Sequence, residues 1–302
     1  MEIEVVSLSK SYKDVRALEN VSISVASGEL FGVIGPDGAG KTTLFRILAT
    51  LLKPDNGSAK VGGLDSVVDY RRIRNQIGYM PGKFSLYQDL SIEENLHFFA
   101  EVFGADMKEN YELIAPIYRQ IAPFKDRRAG ALSGGMKQKL ALCCALIHRP
   151  KLLLLDEPGT GVDPVSRKEF WDMLALLKKQ GLTILVSTPN MDEAALCDRV
   201  ALLQRGKVVA VDRPEAIIER YPYPLFAVRG REMHRLISDL RKWEPVQGCF
   251  GFGEYAHLSL HQNSHSTEEI TAYLNKYGHE SVEVKAIAPG IEDCYVAFEQ
   301  QG

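Results

Sequence analysis

The chain has 302 residues, 45% of them hydrophobic and 25% charged, with a formal net charge of −3. That is enough apolar material for one large domain or two smaller ones, and the slight acidity excludes a nucleic-acid binder held by a broad basic surface. No apolar run approaches the ~20 residues needed to span a bilayer, and Met1 opens no signal-peptide layout. A membrane role would therefore need its membrane part from another chain. The five cysteines, Cys143, Cys144, Cys197, Cys249 and Cys294, form no C-x-x-C pair. They read as reduced thiols in a cytosolic protein.

Residues 2 to 34 read as three strands: Ile3 to Val6, Val21 to Val25 and Leu30 to Ile34. Tyr12 falls in the polar turn between the first two. It could stack on an adenine ring or be a partly buried turn tyrosine. Gly35-Pro36-Asp37-Gly38-Ala39-Gly40-Lys41-Thr42 follows and has the form G-x-x-x-x-G-K-[ST]. The glycines let successive N–H groups point into one concavity. Lys41 can reach the outer phosphates, and the Thr42 hydroxyl can ligate Mg²⁺. Thr43 to Leu51 reads as a helix whose positive end faces those phosphates. Strand, glycine loop and helix together make a phosphate-binding loop.

Pro54 to Gly57 is a turn signal, followed by a short strand and a helical stretch from Tyr70 to Asn75. Ile77 to Met80 reads as a buried strand ended by Pro81. Ser91 and Glu94 form a capping box, and residues 83–150 read as mostly helical. Within that block, Leu132-Ser133-Gly134-Gly135-Met136 leads into a helix over Lys137 to His148. Ser133 can cap it, and the glycines bring backbone N–H groups close to a bound anion.

Lys151 to Pro158 carries four leucines and then Asp156 and Glu157. A wholly apolar strand is covered on both faces, and acids at its carboxyl end sit where open α/β sheets place their ligands. Asp156 suits a Mg²⁺ shell, and Glu157 suits activation of an attacking water. Phe170 to Lys179 reads as an amphipathic helix. The strand Thr183 to Ser187, helix 191–196 and the hairpin Arg199 to Val211 follow. A boundary is expected near Pro214 to Pro224. The remainder reads as βαββαβ, a small ferredoxin-like domain, closed by a helix from Ile291. His257, His261 and His265 are spaced by four, and they read as ordinary surface histidines ahead of a metal site.

With the phosphate loop, Leu132 to Met136 and Leu152 to Glu157 in this order, residues 2–215 resemble an ABC-transporter ATPase subunit of the bacterial multidrug-export branch. The tail from about 220 resembles the accessory domain that some of those subunits carry. The implied fold is an α/β phosphate-loop NTPase, residues 1–215, with a helical subdomain over about 83–150 and an α+β domain over 222–302. ATP and Mg²⁺ are the implied cofactors. Tyr12 would stack on adenine, and Gly35, Pro36, Asp37, Gly38, Ala39, Gly40, Lys41, Thr42 and Thr43 would form the Walker A loop. Thr42 and Asp156 would hold the metal, with Glu157 and Lys41 catalytic. Ser133, Gly134 and Gly135 would reach the γ-phosphate held by a partner subunit. Gly161 to Asp163 would form the D-loop at that seam. Lys83 to Leu90 would dock a multispan permease, leaving the chain peripheral on the inner membrane face.

Two positions depart from the family pattern. Gly82 stands where the family has a glutamine touching Mg²⁺ and the attacking water. Pro189 stands where it has a histidine touching the γ-phosphate. Neither residue offers a side-chain donor. Hydrolysis at the chain's own site is therefore expected to be slow, and a heteromer with a fully equipped ATPase half is expected ahead of a homodimer. The other readings are a non-hydrolysing regulatory subunit and a soluble ABC-class ATPase unconnected with transport.

Overall fold

A computed structural model describes residues 1–261 and 266–301. The chain forms two compact units, Met1–Pro214 and Glu215–Gly302. The first begins with a hairpin of β1 (Ile3–Tyr12) and β2 (Val15–Val25), joined later by β4 (Asn56–Val61) and β5 (Leu64–Asp65) in an antiparallel sheet of order β2-β1-β4-β5. Between them in sequence come β3 (Leu30–Ile34) and α1 (Lys41–Leu48).

After α2 (Tyr70–Arg74) and β6 (Ile77–Met80) the chain turns helical, with α3 (Ile92–Phe103), α4 (Met107–Ile121) and α5 (Gly134–Leu146). Ser91 and Glu94 close the expected capping box on α3, the Ser91 Oγ accepting from Glu94 N at 3.2 Å and Ser91 N donating back at 2.7 Å. Then β7 (Leu152–Asp156), α6 (Pro164–Lys179), β8 (Thr183–Thr188), β9 (Arg199–Gln204) and β10 (Lys207–Asp212) complete a six-stranded sheet of order β10-β9-β3-β8-β7-β6. All neighbours are parallel except the β9–β10 hairpin at the edge. Every residue of β3, β7 and β8 is buried, as the unbroken apolar runs require. Phe31, Phe45, Leu154 and Leu185 belong to a core shared with the antiparallel sheet.

Several details differ from the sequence expectations: Tyr12 ends β1 instead of lying in a turn, and α1 runs from Lys41 and stops at Leu48, short of Leu51. α6 starts at Pro164, six residues before Phe170, because Asp163 caps it and proline is tolerated in a first helical turn. Residues 191–196 form a 3₁₀ turn, not an α-helix.

The helix α7 (Pro214–Ile218) begins at the last residue of the first unit and leads into the second. That unit continues as β11 (Leu225–Arg229), α8 (Met233–Leu240), β12 (Val246–Phe252), β13 (Tyr255–Leu260), α9 (Thr267–Lys276), β14 (Glu283–Ala286) and α10 (Ile291–Gln301). Its sheet is antiparallel with order β12-β13-β11-β14. Val228, Leu258, Leu236 and Ile270 form its own core with α8 and α9. His257 hydrogen-bonds Asp293 at 2.7 Å through Nδ1 and stacks on Phe252. His265 lies outside the described residues. All five cysteines are free and buried.

Candidate nucleotide-binding site

The carboxyl ends of four parallel strands line up along one edge of the large sheet. In spatial order they carry the loop after Ile34, then Thr188-Pro189, then Asp156-Glu157, then Pro81-Gly82. The strand order thus collects segments that are far apart in sequence. The loop itself curls as the glycine spacing demands. Gly40 sits at φ +107°, and a Cβ there would come within 2.2 Å of the Ala17 carbonyl oxygen. Only glycine fits that position. Pro36, Asp37 and Gly38 are exposed, Gly35 and Ala39 are buried, and Gly40, Thr42 and Thr43 are half-buried.

The Lys41 ammonium is 2% exposed. It donates to the carbonyls of Gly35 at 2.6 Å and Pro36 at 2.8 Å, and pairs with Glu157 Oε1 at 3.0 Å. An ammonium has three protons, so these acceptors saturate it. Thr42 Oγ1 donates to Asp156 Oδ1 at 3.2 Å, and Ser187 Oγ donates to the same oxygen at 2.9 Å. Burial raises the Asp156 carboxyl above the usual carboxylate range, against the lowering effect of those two bonds. The Glu157 N–H in turn donates to Ser187 Oγ at 2.9 Å. Ser187 therefore ties both acids to β8. Glu157 itself holds φ +51°, an uncommon conformation for a residue with a Cβ.

The Thr42 hydroxyl and the Asp156 carboxylate are hard oxygen donors that touch each other. Mg²⁺ binds nucleotide through one or two such protein ligands and fills its shell with phosphate oxygens and water. The pair fits that ion. Burial and the Asp156 charge push the Tyr79 hydroxyl, on the neighbouring strand, up to about 12.

Of the remaining expected residues, Gly134 lines the same cleft as Glu157. Tyr12 ends β1 and is 42% exposed. Ser133 caps α5, accepting from Met136 N at 3.3 Å, and Ser133 and Gly134 are exposed. The ideal Cβ of Gly134 would lie 3.5 Å from Gly161 O, and that of Gly135 2.5 Å from Ser166 Oγ. The signature segment thus adjoins the loop Gly161–Asp163 of its own chain. Asp163 accepts from Ser166 N at 2.9 Å as the cap of α6, and that bond lowers its carboxyl. Gly82 packs on the acid pair: a Cβ there would meet Asp156 O at 3.0 Å and Glu157 Cβ at 3.8 Å. It also lines an open cleft of about 580 Å³ with Tyr79, Phe84, Phe103, Glu157 and Val162. The Gln138 side-chain oxygen on that wall is buried without a hydrogen-bond partner.

Sequence reasoning missed Ser187 and Thr188. The signal was present, since two hydroxyl residues end an otherwise apolar strand at the carboxyl edge.

Residues 18–160 match the model of the ABC transporter family. The chain is 39% identical over 298 residues to the Nod factor export ATP-binding protein I of Rhizobium sp. (strain N33), covering 97% of this chain and 95% of that one. It is 46% identical over 209 residues to the probable multidrug ABC transporter ATP-binding protein YbhF of Escherichia coli, covering 68% of this chain. The match spans about a third of YbhF, 36% of its length. Among solved structures, an ATP-binding subunit of an ABC transporter superposes with a TM-score of 0.67 at 29% identity, over 73% of this chain and 93% of that one. The cassette MJ0796, solved with ADP and Pi in a post-hydrolysis dimer, superposes at 0.63 with 25% identity, over 70% and 98%. The chain belongs to the family of ABC transporter ATP-binding proteins.

Proposed function

We propose that this chain is the ATP-binding subunit of an exporter and works with a separate membrane permease on the inner face of the membrane. The observation that carries the proposal is the convergence of Lys41, Thr42, Asp156 and Glu157 on one sheet edge, with the loop of Gly35–Gly40 beside them. Gly35–Thr43 cradles the phosphates, and Tyr12 stacks on the base. Thr42 and Asp156 would hold Mg²⁺, which would supply positive charge to the outer phosphates. Lys41 moves from Glu157 onto those phosphates, which frees the carboxylate to take a proton from the attacking water. The apolar cleft beside Phe84 and Phe103 suits a segment of the permease, and the export relatives support the direction.

We further propose that hydrolysis at this site is slow and that the working ATPase is a heteromer. Gly82 and Pro189 leave the sheet edge without two side-chain contacts, one to Mg²⁺ and the attacking water and one to the γ-phosphate, and one such contact is worth roughly 10²–10³ in rate. Titration of the purified chain with Mg²⁺-ATP, followed by a turnover assay, tests the nucleotide-binding and slow-site readings. Micromolar-range binding (roughly 1–100 μM) with turnover well below about 1 s⁻¹ is the expected outcome. Turnover at ordinary ATPase rates would sink the slow-site reading, and absence of binding would sink the whole assignment.

A further inference from the structure

A chain of polar contacts leads away from the phosphate loop and does not pass through the two acids. Gly35 N donates to the Thr188 carbonyl at 3.2 Å. The Thr188 hydroxyl accepts from Asn190 N at 3.0 Å and donates to Glu193 Oε2. Both Thr188 and Glu193 are buried. The second Glu193 oxygen faces Arg167 Nε at 3.9 Å, and the same guanidinium donates to the Val162 carbonyl at 3.1 Å. Gly159 rests on this pair, its ideal Cβ 3.5 Å from both Arg167 Cγ and Glu193 Oε1.

One link in that chain is open. Arg167 Nε is buried and has no hydrogen-bond partner, while its distance to Glu193 is an ångström too long for one. An unmet buried N–H is costly, so the arrangement favours closure whenever Glu193 or the loop can move inward.

We propose that Arg167 and Glu193 are positioning residues that transmit occupancy of the phosphate loop to the loop Gly159–Asp163. Nucleotide draws on Gly35 and, through its N–H, on the Thr188 end of β8, Thr188 carries Glu193 with it, and the Arg167 guanidinium pulls the Val162 carbonyl. The loop at the proposed subunit seam is thereby set only when this chain holds nucleotide. The missing side chains at Gly82 and Pro189 do not interrupt this route. The inference rests on the nucleotide-binding reading above.

Hydrogen–deuterium exchange of the full-length chain, with and without Mg²⁺-ATP, tests it. In the wild type, exchange should slow at Gly38–Thr43 and change at Thr160–Asp163. Arg167→Met keeps the aliphatic stem that packs on Gly159. Glu193→Gln keeps an acceptor for Thr188. In either variant the response at Gly38–Thr43 should persist within about twofold, while the change at Thr160–Asp163 falls by about fivefold or more. Three results would overturn the proposal. The first is an intact response at Thr160–Asp163 in both variants. The second is a parallel loss at both loops, which marks a merely structural role. The third is no wild-type response at Thr160–Asp163 while Gly38–Thr43 is protected. No protection at Gly38–Thr43 in the wild type would overturn it together with the nucleotide-binding reading.

Discussion

Glu157 is held in a left-handed conformation, at φ +51°, although it has a side chain. Such a residue costs about 1–2 kcal/mol, and it persists because its surroundings over-determine it. Ser187 takes its N–H, Thr160 donates to its carbonyl at 3.2 Å, and Lys41 pairs with its carboxylate. Through the last contact the carboxylate proposed to serve hydrolysis would also compete with phosphate for Lys41. The pair is 2% exposed on the lysine side and 21% on the glutamate side, so solvent and salt screen it little. Glu157→Gln should therefore bind ADP about two- to fivefold more tightly in a titration, while single-turnover hydrolysis drops by about 10² or more. Unchanged or weaker ADP binding would show that Lys41 is not restrained by this carboxylate.

At the scale of elements, the ends of β6 and β8 carry the two positions that depart from the family pattern, Gly82 and Pro189. Gly82 follows β6 and lies against the Asp156 backbone, with space for a Cβ only if the neighbouring carbonyl gives by a few tenths of an ångström. Pro189 follows β8, beside Thr188. Both are at strand ends, where the backbone can shift without breaking the ladder. Gly82→Gln combined with Pro189→His should accordingly raise steady-state turnover of the purified chain by about 10² or more. If turnover stays flat while ATP still binds, the limiting deficit lies elsewhere, and the proposed role of these two positions fails.

At the scale of the whole molecule, the chain consists of two units with separate cores, and the nucleotide chemistry belongs to the first. Ser133, Gly134 and Gly135, which would serve a partner's nucleotide, are exposed or adjoin the loop Gly161–Asp163. They keep the family pattern, whereas Gly82 and Pro189, at positions that would serve the chain's own nucleotide, do not. That asymmetry underlies the proposed heteromer. An equal mixture of this chain with its partner ATPase half should hydrolyse ATP at least about tenfold faster than this chain alone, because the mixture contains one fully equipped site. A mixture no faster than this chain by itself would count against the pairing.

The features legible in the sequence are those that a short contiguous stretch can specify. Gly35 to Thr42 dictates a phosphate cradle because its glycines are needed where they stand, and Gly40 at φ +107° shows the need. Four leucines before Asp156 dictate a buried strand with acids at its end, and Ser91 with Glu94 dictates a helix start. The α/β fold class follows from the alternation of such pieces. Strand order is different in kind, because it is settled by pairing between segments that no local pattern relates. Thr42 and Asp156 meet across 114 residues. They do so because β8 inserts between β3 and β7, which brings Ser187 under both acids and Thr188 beside the phosphate loop. The same packing folded Lys41 onto Glu157 and set Arg167 opposite Glu193. The sequence by itself determined which groups could do chemistry on a nucleotide. Tertiary packing decided which of them touch, since only in the assembled sheet must every buried donor and charge find its partner.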